Sequence, residues 1–187
     1  MIISIGGYMG SGKSTIAKML AAELGWPRYY IGGIRRQKAL ERGLTLAEYN
    51  KLGETDPSTD LEVDEYQKTL GLKEDNFVIE GRTSWYFIPH SLKIYLDVNK
   101  RAGAQRIYND LLKSKERNEA SKTDTFEQVL ENVLERETSD RLRYKKYYGF
   151  DVYDHKNYDF VLDTTGISKE EVFDRVWRFV RSRLEKN

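Results

Sequence analysis

The run Gly7-Tyr8-Met9-Gly10-Ser11-Gly12-Lys13-Ser14 constrains this chain more than any other stretch. It fits the pattern G-x-x-x-x-G-K-[ST] in full. Glycines lack the Cβ that would keep backbone N–H groups from curling around phosphate oxygens. A helix starting near Lys13 would turn its partial positive end toward the same anion. The Lys13 ammonium can reach β- and γ-phosphates, and the Ser14 hydroxyl can hold Mg²⁺. The context agrees with the motif. An apolar run, Ile2–Gly6, precedes it, and Ile16, Met19, Leu20 and Leu24 follow at helical spacing. The loop predicts a nucleoside triphosphate as ligand, but kinases, GTPases and ATPases all use it.

The rest of the chain alternates in the way such a loop requires. Short runs rich in Ile, Val, Phe and Tyr predict further strands at Arg28–Ile31, Asn76–Glu80, Lys93–Val98 and Phe160–Asp163. Helical patterns fill the gaps. Thr45–Glu48 and Ser168–Glu171 read as capping boxes, and Asp56-Pro57 as a helix start. A long helix opens at Asp124–Glu127, with Phe126, Val129, Leu130, Val133 and Leu134 on one face. This order predicts an α/β fold, a parallel sheet covered on both faces. A length of 187 residues suits one domain. The polar segment 114–123 interrupts the pattern and reads either as a solvated loop or as a lid.

Composition removes several functions. A net charge of +1 offers no field for a nucleic-acid backbone or an anionic membrane. The absence of cysteine excludes thiolate chemistry and Cys-based zinc sites. No apolar run approaches a membrane span, and Met1–Ile5 is too short for a signal peptide. The expected location is therefore the cytoplasm. A GTPase would carry N-K-x-D, whereas the nearest match, Asn99-Lys100-Arg101-Ala102, ends in alanine.

Arginines point toward phosphoryl transfer. Arg136, Asp140 and Arg143 are spaced i, i+4, i+7 and share one helix face. They form either a phosphate and ribose clamp or a surface ion-pair ladder. Arg82 follows Gly81 at the carboxyl end of a strand, where open α/β sheets bind ligands. Arg35 and Arg36 follow another strand through Gly32-Gly33. Asp60 and Asp64 lie one helical turn apart. Trp85, Tyr86 and Phe87 fit a core better than a base pocket, and His90 and His155 fit the surface. Glu80 or Asp97 could orient a water on Mg²⁺.

Taken together, GYMGSGKS, YYIGGIRRQKA, ERGLTLAEYNK, DPSTDLEVDEYQ, VIEGRTSWYFIP, LKIYLD, RETSDRLRY and YDFVLDTTG resemble the cytidylate kinase family, especially its short archaeal type. The resemblance runs from Met1 to about Val176. It implies a P-loop kinase of three α/β/α layers with a five-stranded parallel sheet. It also implies a helical acceptor-binding arm at about 33–72 and a lid at about 113–124. Gly7, Gly10, Ser11, Gly12, Lys13, Ser14 and Thr15 would hold ATP, with Mg²⁺ on Ser14. Asp163–Thr165 would lie near adenine. Arg36, Arg82, Arg136 and Asp140 would bind a nucleoside monophosphate, CMP or dCMP. Lys13, Arg136 and Arg143 would be catalytic, with Arg143 against the transferring group and a lid cation from Lys113, Lys115, Arg117 or Lys122. A monomer is expected. The chain departs from the family at Gly33, at Thr83 after Arg82, and at Tyr8-Met9. The alternatives are a P-loop kinase for UMP, AMP, a nucleoside or a metabolite, and a non-catalytic nucleotide-binding module.

Overall fold

A computed structural model describes residues 1–113 and 125–185. The five strands are β1 (Ile2–Gly7), β2 (Arg28–Tyr30), β3 (Phe77–Glu80), β4 (Leu92–Asp97) and β5 (Phe160–Asp163). All pair in parallel, in the order β2-β3-β1-β4-β5. The central strand β1 is buried along its whole length, as strands with neighbours on both sides and layers on both faces must be. The helices are α1 (Lys13–Leu24), α2 (Ile31–Glu41), α3 (Leu46–Gly53), α4 (Ser58–Lys73), α5 (Ser84–Phe87), α6 (Lys100–Lys113), α7 (Phe126–Tyr148) and α8 (Lys169–Leu184).

Three apolar clusters hold these layers together. On one face Ile16 and Leu20 of α1 and Val176 and Val180 of α8 pack on Ile3, Ile5, Ile94 and Leu96. On the other, Val129 and Val133 of α7 meet Tyr95 and Val98. Beside them, Ile31, Val63 and Leu70 cover Ile2, Phe77 and Ile79. Because all strands run the same way, the loops after β1, β3, β4 and β5 emerge at one edge of the sheet.

The strands stand where the sequence predicts, with ends moved by a residue or so. The second stops at Tyr30, because Ile31 already begins α2, so Gly32-Gly33 lie in a helical turn rather than a loop. Thr45 forms its capping box with Glu48. The Ser168 hydroxyl accepts from the Glu171 N–H. The cap of α7 is Thr125, paired with Gln128. Helix α4 starts at Ser58, one residue later than expected, and Asp56 Oδ1 accepts from the Ser58 N–H at 2.9 Å. Of the expected lid, about 113–124, only Lys113 is described; segment 114–124, with Lys115, Arg117 and Lys122, lies outside the described residues. Among the described residues no helix is long and apolar enough to cross a membrane.

Candidate active site

The loop between β1 and α1 is held by backbone contacts that only small residues permit. Gly10 has φ 75°, and a Cβ there would meet the Gly103 carbonyl oxygen at 2.2 Å. Helix α6 therefore approaches the loop backbone directly. Gly12, at φ 87°, caps α1 without a side-chain acceptor, and the first turn carries no acidic residue. Such an end is suited to an anion. The Lys13 ammonium donates to the Tyr8 carbonyl oxygen at 2.6 Å. Arg106 of α6 ties the loop to the end of β5, donating to the Gly10 carbonyl at 3.3 Å and to the Thr164 carbonyl at 2.6 Å.

The loop forms one wall of a cavity of about 1140 Å³, whose other walls include Arg36, Glu80, Arg82 and Arg136. A pocket for one small ligand usually measures about 300–1,000 Å³, and this cavity lies above that range. Three arginines from three elements thus face the same space as Lys13. Arg36 comes from the first turns of α2, Arg82 from the turn after β3, and Arg136 from α7.

A buried ionic network backs this wall and in part borders the cavity. Asp140 accepts from Arg143 at 2.5 Å and from the Tyr153 hydroxyl at 2.9 Å, and its Oδ2 is 2.9 Å from Arg82 Nε. Burial alone would raise the Asp140 carboxyl. Arg82, Arg143 and Arg136 overcome that and hold it at about 2. Arg143 also donates to both oxygens of Asp60, at 2.6 and 2.7 Å, and Arg35 donates to Asp60 at 2.6 Å.

These positions correct the reading of the Arg136, Asp140, Arg143 trio. It is not a surface ladder, since Asp140 and Arg143 are buried. Arg143, expected against the transferring group, is not among the residues that line the cavity. Its side chain has 0% exposure and lies between two carboxylates, as a charge enclosed by protein requires. Of the trio, only Arg136 reaches the cavity wall. Asp140 acts on the cavity through Arg82.

The other candidates separate cleanly. Asp60 and Asp64 are buried, and both border the cavity. Asp64 accepts from Gln67 at 3.2 Å, from Thr83 at 3.3 Å and from the Tyr148 hydroxyl. Burial, opposed by Tyr148 and reinforced by Asp60, pushes its carboxyl up to about 7. Trp85 and Tyr86 pack on Phe150, with ring centroids 4.9 and 4.6 Å away, and do not line the cavity. Phe87 is buried against Tyr148, Trp85 is partly buried, and Tyr86 lies exposed at the edge of this aromatic cluster. His90 is exposed, and His155 rests on Asp97 at 3.2 Å. Sequence reasoning missed Arg106, Tyr153 and the link that Gln67 makes between Asp64 and Thr83. Each depends on partners far along the chain, and none carries a local motif.

Glu80 is the carboxylate nearest to the chemistry expected of Ser14. Burial raises it, while hydrogen bonding from Ser14 and the charges of Arg28, Lys13 and Arg36 oppose the rise. Its Oε1 is buried and accepts no hydrogen bond among the described residues, with Arg28 Nε 3.4 Å away. One hydroxyl and one under-satisfied carboxylate oxygen fit Mg²⁺, which takes few protein ligands and completes its shell with water and phosphate.

A parallel sheet in this order, with a glycine-rich loop running into α1 and a cationic cavity beyond it, defines a P-loop kinase. Solved structures agree on the fold. The chain is similar to shikimate kinase from Bacteroides thetaiotaomicron, with a TM-score of 0.65 at 14% identity over 97% of this chain and 98% of that one. An uncharacterized protein from Eubacterium ventriosum gives a TM-score of 0.70 at 17% identity, over 97% and 99% of the two chains.

Residues 2–166 match the model of the cytidylate kinase-like family, and the chain belongs to that family. Among curated relatives, the cytidylate kinase of Pyrococcus furiosus is 38% identical over 92% of this chain and 84% of its own length. That of Pyrococcus abyssi is 37% identical over 100% and 97%. That of Methanothermobacter thermautotrophicus is 35% identical over 91% and 99%.

Proposed function

We propose that this protein transfers the γ-phosphoryl group of ATP to CMP, giving ADP and CDP. The observation that carries this reading is the continuity of the cavity from Lys13 and the α1 N-terminus to Arg36, Arg82 and Arg136. One end offers backbone N–H groups and an ammonium for a triphosphate; the other offers forked guanidiniums for the phosphate of a nucleotide acceptor. The activity named for the curated relatives supplies the base.

In this reading Gly7, Gly10, Ser11, Gly12, Lys13, Ser14 and Thr15 hold ATP, and Arg36 and Arg82 hold the acceptor phosphate. Arg136 stands between the two and offsets charge as the phosphoryl group moves. Asp140 fixes Arg82 from behind. Ser14 and Glu80 would hold Mg²⁺, which when bound neutralises charge on the phosphates. The acceptor phosphate is already ionised at neutral pH, so positioning and charge neutralisation suffice without a general base. Helices α2 to α4 form the acceptor arm. The protein works as a monomer in the cytoplasm.

The test is ADP release with CMP, dCMP, UMP, AMP and GMP as acceptors. CMP or dCMP should give the highest kcat/KM, and ATP alone should be hydrolysed slowly. Equal rates with all five, or rapid hydrolysis without acceptor, would overturn the reading.

A further inference from the structure

Tyr8 sits within the phosphate loop but does not line the cavity; its ring points away from it, into the packing of α7. It is 4% exposed, and its hydroxyl donates to Glu137 Oε2 at 2.6 Å. Glu137 is itself buried and fixed from two further sides. Lys100 Nζ is 2.6 Å from the same oxygen, and Arg141 donates to Oε1 at 3.1 Å. Glu137 directly follows Arg136 on α7. The Tyr8 ring also packs on Tyr153, with centroids 5.6 Å apart, and the Tyr153 hydroxyl holds Asp140, which holds Arg82. On its backbone side, the Tyr8 carbonyl receives the Lys13 ammonium at 2.6 Å.

One residue therefore touches Lys13 through its carbonyl, the Arg136 segment through its hydroxyl, and, through its ring, Tyr153, which holds the partner of Arg82. We propose that Tyr8 is a positioning residue that couples the two substrate sites. Bound ATP fixes the phosphate loop. Through the Tyr8–Glu137 hydrogen bond it also fixes α7, and so sets Arg136 and Arg82 for the acceptor. The bond is short, buried and made to a charged acceptor, the kind that holds two elements in one relative position. By linkage, the acceptor must then favour ATP by the same factor. This inference rests on the two-substrate reading of the cavity and deepens it.

Calorimetric titration tests it with the intact protein, using CMP and a non-hydrolysable ATP analogue with Mg²⁺. In the native protein the analogue should tighten CMP binding by about fivefold or more, a common size for coupled sites. Tyr8→Phe keeps the ring and removes the hydroxyl; it should reduce that factor to about twofold or less, by loss of one positioning contact. Each ligand alone should still bind the variant within about threefold of its native affinity, since neither touches the hydroxyl. Glu137→Ala should do the same, and the double variant should be no worse than Glu137→Ala alone. A merely structural role would lower the melting temperature and leave the coupling factor unchanged. That result, or additive losses in the double variant, overturns the inference. Should Tyr8→Phe fail to melt cooperatively, Glu137→Gln takes its place. It replaces the charged acceptor by a neutral one and so weakens the bond to the phenol; a reduced coupling factor supports the route through the hydroxyl and an unchanged one refutes it. Failure of the native protein to bind CMP at all would instead remove the functional reading itself.

Discussion

Arg82 Nε lies 2.9 Å from Asp140 Oδ2, joining the turn after β3 to the middle of α7. The pair sets how far the Arg82 guanidinium can extend into the cavity. It also places a buried anion between cations on two elements. Removing that anion leaves Arg82 and Arg143 short of a partner. Asp140→Asn should cost about 3–5 kcal/mol of stability, the usual penalty for breaking one side of a buried ion pair. Urea unfolding measures it. A loss below about 1 kcal/mol would mean that water already screens this site, as it does exposed pairs.

Arg136 and Arg143 stand seven positions apart on α7 yet should behave as opposites. Arg136 lines the cavity, while Arg143 is enclosed by Asp60 and Asp140. Arg136→Ala should lower kcat by about 10²-fold or more, with the melting temperature nearly kept, as for loss of one donor to developing charge. Arg143→Ala should destabilise the fold by about 3–5 kcal/mol. Thermal melts beside steady-state rates separate the two. Equal stability losses in both variants would count against the division of α7 into a cavity side and a buried side.

Asp64 gives a pH dependence with a definite sign. Its folded pKa of about 7 is above the ordinary carboxyl value of 3.8. The folded protein therefore binds the proton more tightly than the unfolded chain. The associated stability is fully present below about pH 4 and is lost as pH rises through about 7, by at most about 1.4 kcal/mol per pH unit. Asp64→Asn abolishes the titration. The stability difference between native protein and variant should thus move in favour of the variant from pH 5 to pH 8. The difference cancels the titration of other groups, including Asp60, Tyr148 and Arg35 nearby. A difference that stays flat across this range would show that Gln67, Thr83 and Tyr148 hold the carboxyl at its ordinary value.

The phosphate loop was legible because its chemistry is contiguous. Eight consecutive residues specify a backbone shape, and the strand and helix around them follow from apolar patterning. The buried strands were legible for the same reason. Depth was not. Spacing of i, i+4, i+7 fixes the side of α7 on which Arg143 projects but not what covers that side. The cover is Asp60, 83 residues away, delivered by α4. Likewise nothing near Arg106 announces that it grips Gly10 and Thr164. Tyr8 was visible as an odd choice within the loop, but its partner Glu137 is 129 positions distant. Local motifs identify which groups contact ligand; tertiary packing decides which groups stand behind them.

Glu80 yields a test of the metal assignment that does not depend on acceptor chemistry. Its buried Oε1 lies without a hydrogen bond among the described residues, and the Ser14 hydroxyl bonds to the same carboxyl group. Glu80→Gln keeps the shape and removes the charge. Half-maximal activity should then need about 10–100 times more free Mg²⁺, the range seen when a group that orients a metal's shell is changed. Saturating Mg²⁺ should restore most of kcat. Stability should not fall, since the neutral amide no longer carries a buried charge and the Arg28 side chain keeps 28% of its surface in solvent. A variant with an unchanged Mg²⁺ requirement but a raised KM for CMP would move Glu80 from the metal to the acceptor. A variant unchanged in both would leave it as the counter-ion of Arg28 alone.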